Sequence, residues 1–502
     1  MAFLEAFRRS RAALFGSAIV AVALQSASAA AIQPTMTPKL RVGPAQDQVW
    51  LPQGAAAPLY GLFSCQVAGV SAVSCYDPYQ MRKAYKLDTL VAAGFDGTGQ
   101  TIVIVDAFHH PNLTAQLNVF TSFYGLPAVS LTQVAPDGVP AFDPSDNVMV
   151  GWAQETSLDV EWAHSIAPGA KIVVVEAKSS ADIDIASALK YAVDNNLGSV
   201  ISMSFGENES CVGPEGTLAY HQIFANATLK GITLFASSGD EGAAQTSCDG
   251  TSWVKAASSP ANDPLVTGVG GTELSAAKYC LTSQGCDPST NPAPGAYLSE
   301  IAWNEGPKYG DFASAFDTTL SGGGGFSVVF DEPPYQQSKL PGGKQRAVPD
   351  VSYSAAVEHG VLTYLSIPGI PAGFYLFGGT SAGAPQWSAI AAIADQKAGH
   401  RLGFLNKAIY QLTAAYPTYF NDISSGTNSS LQLDQFNNVV DIAGFTAGTG
   451  WDAATGTGSP NGSALVDRLI SGVSNGDGIS AVATSMPKPG IGSNGLGHVK
   501  PH

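Results

Sequence analysis

The stretch "KIVVVEAKSSADIDIASALKYAVDNNLGSVISMS", residues 171–204, sets a β-branched run, an amphipathic segment and a second apolar run in direct succession. A strand with one wet face alternates apolar and polar residues, whereas "KIVVVEA" (171–177) and "SVISMS" (199–204) read as strands covered on both sides. Two such strands joined by one helix form a parallel unit. The same pattern extends outward, with "TIVIVD" (101–106) before it and "ITLFASS" (232–238) after the helix-like "GTLAYHQIFANATLKG". The expectation is an α/β fold in which a parallel sheet carries helices on both faces, one large domain over residues 76–470. In such sheets functional groups gather beyond the carboxyl ends of the strands. Asp106, "SFGENES" and "SGDEG" all stand at such ends.

The ends of the chain read differently. Arg8, Arg9 and Arg11 precede an apolar run and an Ala27-Ser28-Ala29 cleavage pattern, so residues 1–29 read as a secretory signal peptide. Residues 30–75 read as a short leader or irregular arm, 263–346 as loop-rich, and 471–502 as a disordered tail. The six cysteines fall into neighbouring couples, Cys65 with Cys75, Cys211 with Cys248 and Cys280 with Cys286. An even count in an exported chain without C-x-x-C favours disulfides over metal thiolates, and neighbour pairing is the preferred arrangement among the possible ones. The net charge of −16, from 40 acidic and 24 basic residues, argues against nucleic acid or an anionic membrane as partner. Only 13% of residues are charged, which limits self-repulsion when carboxylates protonate and suits an acidic setting.

Within "LFGGTSAGAPQWSAIAAIADQ" (376–396), Ser381 stands in a turn of small residues at the start of an apolar helix. Serine there is ordinarily a helix cap. A shell of Gly378, Gly379, Ala382, Gly383 and Ala384 also leaves room for a substrate, and a nucleophilic serine needs a base. His164 is a poor candidate, because it lies nine residues after Glu155 on the same predicted helix and so on the opposite face. It reads as a packed histidine. That helix does carry Glu155 and Asp159, whose i,i+4 spacing stacks them on one face, where neighbouring carboxyls can share a proton. Asp240, in "SSGDEG", reads by itself as a turn residue.

Taken together, "E-x-x-x-D" at Glu155–Asp159, "SSGDEG" around Asp240 and "GGTSAGAP" around Ser381 resemble the sedolisins, or serine-carboxyl peptidases. "GTGQTIVIVDA", "IAPGAKI", "PLVTGVGGT", "SGGGGFS" and "RAVPDVS" extend the resemblance over about 76–469. It implies a subtilisin-like fold, with Ser381 as nucleophile, Glu155 as general base and acid, Asp159 as its orienting partner, and Asp240 in the oxyanion hole. The chemistry agrees with those roles in acid. At pH 4 a histidine of reference pKa about 6.5 is neutral in about one molecule in three hundred, whereas a glutamate near 4.3 is still poised. Asp240 has to be protonated to donate a hydrogen bond to an oxyanion.

The resemblance further implies one structural Ca2+ ion, held by the carboxylates of Asp422 and Asp452 and the carbonyls of Ile423, Gly448 and Gly450; hard oxygens of this kind suit calcium. It implies peptide or unfolded protein as substrate for a secreted monomer. The chain departs from the family in its short pre-domain segment and in Phe205, where tryptophan is usual; Asp106 stands where some members extend the carboxylate network. The alternatives are a neutral-pH subtilisin-type hydrolase, disfavoured by the absent histidine motif, and an exported binding protein that keeps the fold without turnover. Endopeptidase and tripeptidyl-peptidase action are not distinguished by these motifs.

Overall fold

A computed structural model describes residues 35–45, 48–49, 61–306, 318–337, 340, 344–412 and 418–473. The signal-peptide reading of 1–29 lies outside them. Most of the tail read over 471–502 lies outside them too, from residue 474 onward; residues 471–473, read with that tail, instead close a helix, Gly462–Val473.

The central sheet contains β1 (Thr101–Ala107), β2 (Leu131–Val134), β3 (Lys171–Ala177), β4 (Val200–Met203), β5 (Thr233–Ser237), β6 (Thr267–Ala276), β7 (Tyr297–Ala302) and β8 (Val351–Ser354). Their order is β7-β6-β5-β4-β1-β3-β2, with β8 also on β6. Every pairing is parallel except that of β7. The β-branched runs fill the middle: Ile102, Val103, Ile104, Val105, Val174 and Ile201 are all buried. Each such side chain contributes roughly 1.5–3 kcal/mol by leaving water.

Four helices cover this sheet: α1 (Asn147–Ile166), α2 (Asp182–Asp194), α3 (Glu209–Leu229) and α4 (Gly383–Ala398). α1 packs on α4 and on β1, while α2 packs on α3, β3 and β1. That is the expected α/β arrangement with helices on both faces.

Two stretches differ from the sequence reading. The region read as loop-rich contains β6, the longest strand of the sheet. Its "TGVGG" start hides it, because glycine disfavours strands. The glycines serve close packing: a Cβ at Gly270 would fall 2.6 Å from Pro349, and one at Gly271 2.7 Å from Trp303. The segment read as an irregular arm also contains short strands. Thr37–Pro38 pairs with Phe205–Asn208, and Arg41–Ala45 pairs with Gly373–Gly378, both antiparallel. Such brief strands are specified by distant partners and leave no periodicity to read.

The three disulfides join Cys65 to Cys75, Cys211 to Cys248 and Cys280 to Cys286, the neighbour pairing. Arg346 and Asp350 of "RAVPDVS" form a fully buried ion pair, and Asp350 also accepts from the Gly268 N–H at 2.7 Å. That motif therefore ties β8 to β6. Among the described residues, no helix is long and apolar enough to cross a membrane.

Candidate active site

α1 begins where the Asp146 carboxylate accepts from the Val148 and Met149 N–H groups, and it is buried almost all round from Trp152 onward. A helix buried on every side desolvates whatever acids it carries. Glu155 and Asp159, one turn apart, have no exposed surface. α4 is entered through a single 3-10 turn, Thr380–Ala382, and α1 packs against that turn. The Ser381 hydroxyl thereby donates to Glu155 Oε2 at 3.0 Å, and the Ser204 carbonyl lies 3.2 Å away. The Ser204 hydroxyl donates to Asp159 Oδ1 at 2.8 Å.

Asp240 follows β5 and approaches the same turn. Its Oδ1 accepts from the Thr380 N–H at 2.7 Å and the Thr380 hydroxyl at 2.9 Å. Its Oδ2 makes no hydrogen bond among the described residues. Gly379 makes this approach possible. Its φ of +98° is costly for other residues, and a Cβ there would fall 2.6 Å from Asp240 Oδ2. Glu155, Asp159, Asp240 and Ser381 are thus brought together from three elements.

Burial is the main electrostatic influence on these acids, because it penalises the charged form. It raises Glu155 well above the usual carboxyl range, with Asp159 and Asp106 adding to the effect, and raises Asp159 likewise with Asp106 beside it. Asp106, buried at the end of β1 and acting on both Glu155 and Asp159, is itself pushed up to about 7 by burial. Asp240 is pushed up to about 6 by burial, against the pull of Arg41. His164 is fully buried, and desolvation lowers it to about 4, in keeping with a packed histidine. Phe205 packs against Trp152 with ring centroids 5.9 Å apart.

The N-terminal segment crosses this cluster. The Lys39 N–H donates to the Ser204 carbonyl at 3.1 Å, and the Lys39 carbonyl accepts from the Ser381 N–H at 2.8 Å. Lys39 Nζ stands 3.4 Å from Glu241 Oε2, and Arg41 Nη2 2.6 Å from Glu241 Oε1. Sequence reasoning did not single out Lys39, Arg41, Ser204 or Glu241. One signal was available: Lys39 and Arg41 are the only cations between residues 30 and 75.

The calcium candidates sit on two loops that interlock. Asp422 Oδ1 accepts from the Gly450 N–H and Asp452 Oδ2 from the Gly448 N–H, both at 3.0 Å. Ile423 is buried beside Asp422. The carboxylates are hard donors of the kind calcium takes, and the neighbours shown around them are the peptide N–H groups of Gly448 and Gly450. Among the described residues, no group of three or more His, Cys, Asp or Glu side chains is arranged to hold a metal. A cation here would therefore depend on the carbonyls.

A serine hydroxyl donating to a buried carboxylate, at the head of a helix lying on a parallel sheet, is the arrangement that the resemblance to the serine-carboxyl branch of the subtilisin-like fold implies. The model of the Subtilase family matches residues 148–415. The chain belongs to the subtilase family, within its sedolisin branch. It is 32% identical to kumamolisin from Bacillus sp. (strain MN-32) over 412 residues, 80% of this chain and 64% of that protein. Against sedolisin from Pseudomonas sp. (strain 101) the identity is 32% over 68% of this chain and 53% of that protein. Mouse tripeptidyl-peptidase 1 is 28% identical over 81% of this chain and 66% of its own length. The solved structure of Pseudomonas sedolisin, complexed with two molecules of pseudo-iodotyrostatin, superposes with a TM-score of 0.63 at 28% identity. It covers 80% of this chain and 99% of that one. The chain spans about half to two thirds of the length of these curated relatives.

Proposed function

We propose that the protein is a secreted, acid-acting serine-carboxyl peptidase that hydrolyses peptide bonds through an acyl-enzyme on Ser381. The observation that carries this reading is the 3.0 Å hydrogen bond from the Ser381 hydroxyl to Glu155 within a cluster of buried carboxyls. Glu155 accepts the serine proton as Oγ attacks the carbonyl carbon, and returns it to the leaving amine. Asp159 and Asp106, which raise Glu155, share the protons of the cluster with it, so that an ionised carboxyl of the group can take up the serine proton. The Ser381 N–H and a protonated Asp240 donate to the oxyanion. Asp240, at about 6, holds its proton only on the acid side of neutrality, which supports an acid optimum.

The three disulfides support export. Peptides or unfolded proteins are the proposed substrates of a monomeric enzyme. Thr35 to Arg41 runs through the site from one side to the other, which supports cleavage within chains over removal of tripeptides. One Ca2+ would be held by the carboxylates of Asp422 and Asp452 and the carbonyls of Ile423, Gly448 and Gly450. Bound there, calcium would pin the loops that follow α4.

The test is hydrolysis of a denatured protein across pH. Activity should peak between about pH 3 and 5, where carboxyls titrate. A maximum above about pH 7, where a histidine base works best, would overturn the mechanism.

A further inference from the structure

The loop that follows β1 is strained and pinned. Phe108 has φ +63°, a left-handed conformation that a bulky side chain disfavours. Strain of this kind persists only where the surroundings over-determine the backbone. The Phe108 N–H donates to the Ala177 carbonyl at 2.8 Å, at the end of β3. Two residues on, His110 is 2% exposed and adds three further holds. Its N–H donates to Glu176 Oε1 at 3.4 Å, its carbonyl accepts from Gln133 Nε2 at 3.2 Å, and its Nε2 lies 3.0 Å from the Ser157 hydroxyl of α1. Ser157 is two residues from both Glu155 and Asp159, so His110 braces the helix on the side away from those carboxyls.

Both ring nitrogens are committed. The Asn112 N–H, at the head of the helix Leu113–Tyr124, can only donate, and it meets Nδ1 at 3.2 Å. The Ser157 hydroxyl gives its hydrogen to the Ala153 carbonyl at 2.7 Å, so Nε2 carries the ring proton and donates to Ser157. The ring is thus one neutral tautomer, and a second proton would have to sit on Nδ1, against the Asn112 N–H. The charged neighbours offer it no free partner. Glu176 of β3 already accepts from His109 Nδ1 at 2.9 Å and from Gln133 Nε2 of β2 at 2.7 Å. Glu161 of α1 is taken by Gln116 of the helix Leu113–Tyr124 and by the Tyr364 N–H. Burial, reinforced by the half-exposed His109, pushes His110 down to about 3.

We propose that His110 is a positioning residue that sets the acid-side limit of the protein: neutral, it pins the strained loop to α1 behind Glu155; charged, it releases the loop and loosens that helix. The consequence for catalysis rests on the peptidase reading above, whereas the release itself does not. In the released loop the ring meets water and takes its proton near 6.5, while in the pinned loop it takes it only at about 3. Between those values the released state binds the extra proton, so acidification favours release. From pH 5 to pH 3 the release equilibrium shifts by about fiftyfold.

The test is amide hydrogen exchange of the full chain, with Ser381→Ala in every sample to prevent self-digestion. Exchange is corrected for the intrinsic rate at each pH and read by mass spectrometry in peptides covering 107–113 and 150–160. Between pH 5 and pH 3 the protection of both should fall about fiftyfold more with His110 present than in His110→Gln. Gln keeps a donor for Ser157 and does not titrate. His110→Asn, which instead keeps an acceptor for the Asn112 N–H, should respond as flatly, and serves where the Gln variant does not fold. Equal falls with and without the histidine overturn the inference. With Ser381 restored, the ratio of the Gln variant's kcat to the parent's should rise severalfold, up to about eightfold, between pH 4 and pH 2.5. A constant ratio overturns the positioning role. A parent that hydrolyses nothing overturns the peptidase reading and leaves the exchange result to decide the release.

Discussion

Asp106→Asn should flatten the fall in stability between acid and neutral pH. Asp106 is wholly buried at the end of β1, and burial moves its carboxyl from 3.8 to about 7. The unfolded chain releases this proton near 3.8, while the folded chain keeps it to about 7. Between those values the folded state binds the extra proton, so stability falls as pH rises. At about 1.4 kcal/mol for each tenfold change in the protonation equilibrium, the contribution is about 4 kcal/mol, complete below about pH 4 and lost by about pH 7. Asparagine has nearly the same shape and does not titrate.

Other groups add their own slopes. Asp240 and Asp395, both raised to about 6, act in the same direction, whereas His110, lowered to about 3, and His164, lowered to about 4, act in the opposite one. The measurement is therefore a comparison of parent and variant. Both carry Ser381→Ala to prevent self-digestion, and both are unfolded in urea at pH 4 and pH 7, followed by tryptophan fluorescence. The parent should lose about 4 kcal/mol more than the variant over this range. A difference smaller than about 1 kcal/mol, near the scatter of such extrapolations, would refute the electrostatic account.

Ser381→Ala and Glu155→Gln should each lower kcat by several orders of magnitude while circular dichroism and melting stay near those of the parent. Asp240→Asn supplies an oxyanion donor at any pH, so the neutral-side limb of the kcat/KM profile, set near 6 by this carboxyl, should move upward. An unmoved limb removes Asp240 from that role. Chelation should lower the melting temperature, since calcium at a hundredfold excess over its Kd adds about 2.7 kcal/mol. Asp452→Ala should imitate chelation and make the chelator silent. Burial raises both Asp422 and Asp452, so the chelator effect should shrink as pH falls into their titration range.

The strands of the central sheet were legible because runs such as "TIVIVD" and "KIVVVEA" can only be buried ones. Their ends were less so: Ser204, read into its strand, lies beyond β4 and turns its carbonyl toward Ser381. Glu155 and Asp159 were readable as a pair because four residues make one helical turn. β6 was hidden by glycines whose purpose is contact with Pro349 and Trp303. The arm was hidden for a different reason. Thr37 and Gly206 are 169 positions apart, and nothing local in "TPKLRV" announces such a partner.

The covalent attachment of that arm has a kinetic consequence. An occupant carried on the same chain competes with free substrate at an effective concentration of the order of millimolar, whatever the dilution of the protein. Blockage by the arm is thus a first-order property. Diluting the protein does not release the site. A free peptide must outcompete a neighbour that never diffuses away and is held by its pairing with Phe205–Asn208 on one side and Gly373–Gly378 on the other.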